Sequence, residues 1–281
     1  MNAIYVRLIG RMGNNMFQLA AAVSLAYRMG VDCYAYPDPN YWAPEPDKCF
    51  LPEYTAKYKH TLFRNFKLID KLPDSFLLYQ EMDFAYHSLP HEKNMCLSGY
   101  FQSERYFHKP LIRELFKVDE HLKDKLIKRY QTLLAHKPAS INVRRGDYLT
   151  PGNQEMFGGI CTEQYYEQAI AYIKEKVWTP RFFIFSDDPT YAKEKYQGEE
   201  YTIVDINRGR DSFFDVYLMS CCKHHICANS TFSFWGARLN PSSDKIMVRP
   251  LKQKNCDWYV PEKMKQLWKN WVLIDEKGKV W

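Results

Sequence analysis

The stretch Ala3-Ile4-Tyr5-Val6-Arg7-Leu8-Ile9-Gly10-Arg11-Met12-Gly13-Asn14-Asn15-Met16-Phe17-Gln18 decides the fold class. Ala3 to Ile9 is an apolar run short enough for a buried strand, and Gly10 and Gly13 mark a turn after it. From Asn15 to Met29 the apolar residues Met16, Leu19, Ala20, Val23 and Tyr27 recur at helical spacing, and Gly30 sits where a helix end favours glycine. Val31 to Tyr36 reads as the next strand. Strand, glycine turn, helix and strand in that order open a doubly wound α/β domain, whose ligands gather beyond the carboxyl ends of the strands. The turn from Gly10 to Asn15 lies at such an end.

Outward from this opening, Pro37 to Pro52 carries five prolines and three aromatic residues, the composition of an irregular surface excursion. Leu111 to Leu134 reads as mainly helical and highly charged, and His136-Lys137-Pro138 ends it just before a strand at Ala139 to Val143. A boundary near 137 therefore separates a first domain, 1–137, from a second, 138–281. The second repeats the alternation: helix Thr162 to Lys176, strand Arg181 to Phe185, helix Pro189 to Tyr196, strand Tyr201 to Asp205, helix Ser212 to Cys221, strand His225 to Ala228, helix Thr231 to Leu239 and strand Lys245 to Val248. The expected architecture is two parallel α/β domains.

The whole chain fits that reading. Its 281 residues are 46% hydrophobic and 26% charged, which excludes collagenous, disordered and membrane-spanning classes. Lys plus Arg exceed Asp plus Glu by 39 − 33 = 6, spread along the chain, so an anionic ligand no larger than a phosphate-bearing small molecule accounts for the excess. No aromatic-interleaved RNA motif accompanies it, and no nucleic-acid partner is expected. The 16% aromatic content suits sugar stacking and an ordinary core alike. Eight cysteines without framework spacing point to a reducing compartment. The apolar stretch Met16 to Tyr27 is interrupted by Gln18 and preceded by a strand, so it does not read as an export signal, and no run approaches the ~20 apolar residues of a membrane span.

Three strand ends in the second half carry chemistry. Ile141-Asn142-Val143-Arg144-Arg145-Gly146-Asp147-Tyr148 delivers two adjacent arginines and an acid. Two guanidiniums can clamp a diphosphate, but neighbours on a strand end point opposite ways, so one arginine faces ligand and the other pairs with an acid such as Asp147. A plain surface ion pair would explain the octapeptide equally well. In Phe182-Phe183-Ile184-Phe185-Ser186-Asp187-Asp188-Pro189 an aromatic strand breaks into two acids at a helix start. A carboxylate there can accept from both N1–H and the N2 amino group of guanine, while Ser186 or Asp187 caps the helix. In Ile226-Cys227-Ala228-Asn229-Ser230-Thr231-Phe232-Ser233-Phe234-Trp235-Gly236-Ala237, hydroxyl groups and helix N-terminal amides can hold an anion.

Other patterns are weaker. Cys221-Cys222-Lys223-His224-His225-Ile226-Cys227 invites a zinc reading, but strand neighbours face opposite ways and no second pair has ligand spacing. Nor is there an Asp-x-Asp triplet to hold a divalent cation against a diphosphate, which leaves arginine in the cation's role and no cofactor expected. Gly10-Arg11-Met12-Gly13 is not a dinucleotide fingerprint.

At these motifs the sequence resembles the bacterial α-1,2-fucosyltransferases, glycosyltransferase family 11, across nearly its whole length. Gly10 to Gln18 is similar to the family's Gly-Gly-Leu-Gly-Asn-Gln-Met-Phe-Gln, Asn142 to Tyr148 to His-Val-Arg-Arg-Gly-Asp-Tyr, and Phe185 to Asp188 and Ala228 to Ala237 complete the set. The resemblance implies a GT-B fold of two Rossmann-like domains facing across a cleft, the first on the acceptor side and the second binding the donor. It implies a metal-independent, inverting transfer of fucose from GDP-β-L-fucose to a galactose-terminated glycan, in the cytoplasm and with at most peripheral membrane contact. Carried over by residue, it makes Arg144 the diphosphate clamp and Asp188 the guanine reader. Ser230, Thr231 and Ser233 become phosphate contacts within a donor site that also includes Asn142, Ser186, Asp187, Asn229 and Phe232, and Asn14 becomes a catalytic-site residue near donor and acceptor. Asn142 stands where the family usually has histidine, and Asn15 where it usually has glutamine. Asp147 and Glu155 are both placed to act as general base, with Asp147 equally suited to pair with an arginine. The contrasting readings are a non-catalytic glycan-binding protein and a transferase with another GDP-sugar or linkage.

Overall fold

The computed structural model describes residues 2–38, 58, 61–117, 124, 127–128, 130–131, 134–207, 211 and 213–281. The chain divides into two compact units, Met1–Asp119 and Glu120–Trp281, each carrying one parallel sheet.

The first unit contains β1 (Ala3–Leu8), β2 (Asp32–Pro37), β3 (Lys67–Leu68), β4 (Leu77–Gln80) and β5 (Met95–Ser98) in the order β3-β2-β1-β5-β4. β1 is the middle strand, and Ala3, Ile4, Val6 and Leu8 are buried. Helix α1 (Met12–Met29) starts three residues before the apolar spacing predicts, because Met12 and Gly13 are themselves buried in its first turn. It ends as expected. Gly30 is left-handed at φ 64°, and Val31 N–H donates to the Ala26 carbonyl at 3.1 Å, a Schellman closure. Strands β3 to β5 were not legible. β4 is an edge strand with three of its four residues exposed, and β5 is buried throughout, so neither alternates. Beyond Asp38 the proline-rich excursion lies outside the described residues, as do 11 of the 24 residues of the predicted helix Leu111 to Leu134; its start is covered by α2 (Lys109–Leu115), which begins two residues earlier than predicted and ends at the cap residue Phe116.

The second unit contains β6 (Ala139–Val143), β7 (Phe182–Ser186), β8 (Tyr201–Val204), β9 (His224–Ile226), β10 (Met247–Pro250) and β11 (Val272–Ile274) in the order β11-β10-β9-β6-β7-β8. Its helices include α3 (Pro151–Phe157), α4 (Glu163–Lys176), α5 (Pro189–Lys195), α6 (Phe213–Cys221), α7 (Thr231–Leu239) and α8 (Pro261–Leu267). Ile141, Val143, Ile184, Ile226, Val248 and Ile274 from the sheet pack with Tyr165, Ala169 and Ile173 of α4. The last predicted strand runs two residues further, through Arg249 and Pro250. Those residue types read as a strand end, yet Arg249 is 1% exposed. Both units are doubly wound α/β domains, as the sequence predicts. No helix among the described residues is long and apolar enough to cross a membrane.

Candidate functional site

β6 lies between β9 and β7, so the loops leaving the carboxyl ends of these three strands emerge side by side. This adjacency gathers the three sequence motifs at the carboxyl end of the second sheet.

After β6, Arg144 donates from Nη1 to Asp187 Oδ2 at 2.7 Å and from Nη2 to Asp147 Oδ1. The partner expected for Arg145, Asp147, belongs to Arg144 instead. Gly146 to Leu149 form a 3-10 turn that begins directly after Arg145, so the chain folds back as soon as it leaves β6 and Asp147, in the first turn, meets Arg144. Arg145 turns the other way. Its backbone N–H donates to Asp187 Oδ1 at 2.8 Å, its Nε to Asp188 Oδ2 at 3.2 Å, and its guanidinium lies 3.8 Å from the Tyr191 ring centroid. These ionic side chains are 22–33% exposed. Gly146 allows the crowding, since a methyl group there would sit 2.4 Å from Asp187 Oδ2.

After β7, Asp188 caps α5, its Oδ1 accepting from Tyr191 N–H at 3.0 Å. The sequence reading gave that cap to Ser186 or Asp187. Proline at the first helical position places the cap on the residue before it, which is Asp188. Ser186 Oγ instead accepts from Asp188 N–H at 3.0 Å. One carboxylate therefore caps a helix and pairs with Arg145, while Asp187 binds Arg144.

After β9, Ser230 caps α7, with Oγ accepting from Phe232 N–H at 3.3 Å, and Thr231 and Phe232 are half-buried beside it. Ser233 is buried, and its hydroxyl donates to the Ser230 carbonyl at 3.1 Å, so it faces into the turn. Asn229 is buried as well. Its Nδ2 reaches the Phe157 and Gln253 carbonyls, each at 3.2 Å, and its carbonyl accepts from Gln253 Nε2 at 2.9 Å and Tyr148 OH at 3.0 Å. Tyr148, stacked on Phe157 with centroids 4.8 Å apart, thereby ties the arginine loop to the α7 turn. Its place next to Asp147 in the octapeptide was the available signal for it.

The remaining predicted residues are scattered. Asn142 is buried on β6. Its Nδ2 donates to the Phe185 carbonyl at 3.3 Å, and its buried Oδ1 has no partner among the described residues. Glu155 is exposed on α3, and its carbonyl accepts from Asn255 Nδ2 at 2.9 Å. In the first unit Asn14 is half-buried, accepting from Gln102 Nε2 at 3.3 Å. Gly10, at φ +74°, fits because a methyl group there would lie 2.4 Å from Asn14 Nδ2. Asn15 is structural, its Nδ2 donating to the Ile9 carbonyl at 2.9 Å.

Two groups elsewhere in the second unit, His225 buried and Asp215 half-buried, are shifted from their ordinary pKa values. His225 lies between Ser140 Oγ and Asn240 Nδ2, each at 2.8 Å, and burial holds its pKa well below the ordinary imidazole value. Asn240 donates to Nε2, which leaves the ring proton on Nδ1, directed at Ser140. Asp215 on α6 has Asn207 Nδ2 at 2.7 Å, and burial pushes its pKa up to about 7.

Comparison with known proteins places these features in context. The sequence profile of glycosyl transferase family 11 matches residues 1–275. The chain is 30% identical to an α-1,2-colitosyltransferase of Escherichia coli, over 98% of this chain and 100% of that one. It is 24% identical to galactoside α-(1,2)-fucosyltransferase 1 of Alouatta caraya, over 82% of this chain and 63% of the relative. Among solved structures it resembles fucosyltransferase NodZ from Bradyrhizobium, with a TM-score of 0.53 at 14% identity over 84% of this chain and 92% of that one. That likeness supports the GT-B type of fold.

Proposed function

The chain belongs to glycosyltransferase family 11, and from that premise we propose that it moves L-fucose from GDP-β-L-fucose to the 2-hydroxyl of a galactoside, with inversion and without a metal. The observation that carries this reading is Arg144, held between two carboxylates and joined through Tyr148 to the capped N-terminus of α7. Partly exposed ion pairs exchange readily, because each is worth only about 1 kcal/mol. A diphosphate offers the same fork-shaped partner with more charge. In this reading the donor takes Arg144 from Asp147 and Asp187, and the amides opening α7 receive the second phosphate. As the bond from C1 of fucose to the β-phosphate breaks, negative charge grows on the diphosphate where the guanidinium stands.

The exchange also frees an acid. Once Arg144 turns to phosphate, Asp147 can take the proton of the attacking hydroxyl, and Glu155 on the neighbouring helix is the second candidate for that role. Asp188 keeps a fixed orientation through its cap and Arg145, and offers guanine the remaining lone pairs of its carboxylate. In the first unit Asn14 is proposed to contact the acceptor. A GDP-sugar supply and free thiols fit a cytoplasmic protein with at most peripheral membrane contact.

Incubation with GDP-fucose and a galactoside, with and without EDTA, tests the reading. Acceptor-dependent release of GDP that EDTA leaves unchanged is expected, and hydrolysis without transfer or a requirement for Mn would overturn it. Similarity to the colitosyltransferase favours one second reading, with a donor sugar lacking the 3-hydroxyl. GDP-colitose outcompeting GDP-fucose in the same assay would establish it.

A further inference from the structure

Arg249, the third residue of β10, carries a guanidinium that no sequence motif anticipates. It is 1% exposed. Its Nε donates to the Pro250 carbonyl at 3.1 Å and its Nη2 to Gln253 Oε1 at 2.9 Å, while the buried Nη1 has no partner among the described residues. The group lies 3.2 Å from the centroid of the Trp268 ring. Cys161, Tyr165, Cys227 and Tyr259 are the titratable groups around it, and among the described residues no carboxylate faces it. Burial lowers its pKa to about 9, so it remains charged at neutral pH. A buried, uncompensated cation is costly, and evolution has a cheaper option at such a place in an apolar residue of similar volume.

Gln253 supplies the reason for a cation there. Its Oε1 is held by Arg249, which aims its Nε2 at the Asn229 carbonyl, 2.9 Å away, next to the residue that caps α7. The exposed part of the site has the opposite imbalance: Arg144 and Arg145 contact Asp147, Asp187 and Asp188, two formal positive charges against three negative. A diphosphate added to that cluster needs more positive charge than it contains. We propose that Arg249 is a positioning residue for the donor site, fixing the Asn229–Ser230 turn through Gln253 and supplying from behind the positive charge that the diphosphate requires. This rests on the donor site proposed above.

The test titrates GDP and guanosine against wild type, Arg249→Met, Arg249→Lys and Gln253→Leu, with melting temperatures measured without ligand. Arg249→Met should weaken GDP roughly 30-fold, as for one charge acting over a few hydrogen-bond lengths in protein, and leave guanosine affinity unchanged. Its melting temperature without ligand should be equal to or above that of wild type, since an unpaired buried charge has been removed. Arg249→Lys should restore part of the GDP affinity, and Gln253→Leu should show a smaller loss, again for GDP alone. Equal losses for GDP and guanosine, or wild-type GDP affinity in Arg249→Met, would overturn the proposal. Should Arg249→Met fail to fold, Gln253→Leu decides by the same split. Wild type that binds no GDP would overturn the donor reading and this one together, whereas GDP binding that Arg249→Met shares in full overturns this one alone.

Discussion

The turns at Gly10–Asn15 and Arg144–Asp147 follow strands inside the two parallel sheets, β1 and β6, and are held in unlike ways. The first is closed by neutral amides. Gln18, which is fully buried, accepts from Ile9 N–H at 3.1 Å and donates to the Ile9 and Gly99 carbonyls, each at 3.0 Å, with Asn15 beside it. The second is closed by partly exposed ions. A buried amide network has no better partner to leave for, because breaking it strands polar groups away from water. An exposed ion pair loses little when a stronger anion arrives. The same topological position is thus a fixed frame in one unit and an exchangeable contact in the other.

Arg144→Ala attacks the exchangeable side and should have the largest effect. A fall in kcat/KM of about a thousandfold or more is expected from losing the group opposite the developing charge. The melting temperature should move little, since each ion pair it leaves is partly exposed. Arg144→Lys should recover only a small part, as a single ammonium cannot make the fork. Near-normal turnover in Arg144→Ala would erase the contrast between the two turns.

Asp215→Asn asks what charge does in the second unit where no exchange is open to it. Its pKa is raised to about 7 from the ordinary 3.8, so the folded protein holds this proton more tightly than the unfolded chain does. Its contribution is therefore fully present below pH 3.8 and lost as pH rises to about 7. The loss is about 4 kcal/mol at most, at 1.36 kcal/mol per unit. Urea unfolding at pH 4.5 and pH 8 should show wild type losing stability across that interval and Asp215→Asn nearly flat. An equal pH dependence in both proteins would count against a neutral Asp215.

Gln18→Ala tests the fixed frame. Removing its four hydrogen bonds, to Ile9 N–H, the Ile9 and Gly99 carbonyls and Asn15, should cost roughly 3 kcal/mol of stability. GDP affinity of the folded fraction should stay as in wild type, because this amide belongs to the first unit. A loss of GDP affinity without a loss of stability would give Gln18 a role in binding.

How much of this was legible depended on whether local pattern or tertiary contact decided the outcome. The long elements with clear periodicity, α1 and α4, and the strand ends bearing Arg144, Asp188 and Ser230 followed from sequence, because turn and cap chemistry is local. Partners were less legible. That Asp147 belongs to Arg144 depends on a 3-10 turn, and that Asp188 is the cap depends on where Pro189 enters the helix. Arg249 was invisible for a stronger reason: an arginine after an apolar run marks a strand end unless Gln253 and Trp268, which belong to none of the sequence motifs, are known to enclose it. Ser233 reads as a ligand contact from its neighbours, but the helical turn directs its hydroxyl inward.

The smallest effect is expected at Asp188, where frame and exchange meet in one carboxylate. Oδ1 accepts from Tyr191 N–H, a contact that fixes the group, and Oδ2 accepts from Arg145 Nε at 3.2 Å, a contact that a ligand can share. Asparagine preserves the first, because a side-chain carbonyl caps a helix about as well as a carboxylate. It damages the second by turning an amide toward a guanidinium, donor against donor. Asp188→Asn should therefore leave the melting temperature within a degree or two, weaken GDP about tenfold, and narrow the preference for GDP over ADP, because an amide cannot accept from both N1–H and the N2 amino group of guanine. Calorimetric titration of both nucleotides against both proteins measures this directly. If the preference survives while affinity falls, Asp188 serves only to hold Arg145, and guanine is read elsewhere. If stability falls as well, the cap at α5 belongs with the buried amides of the first unit as part of the frame, and the exchangeable contacts contract to Arg144 alone.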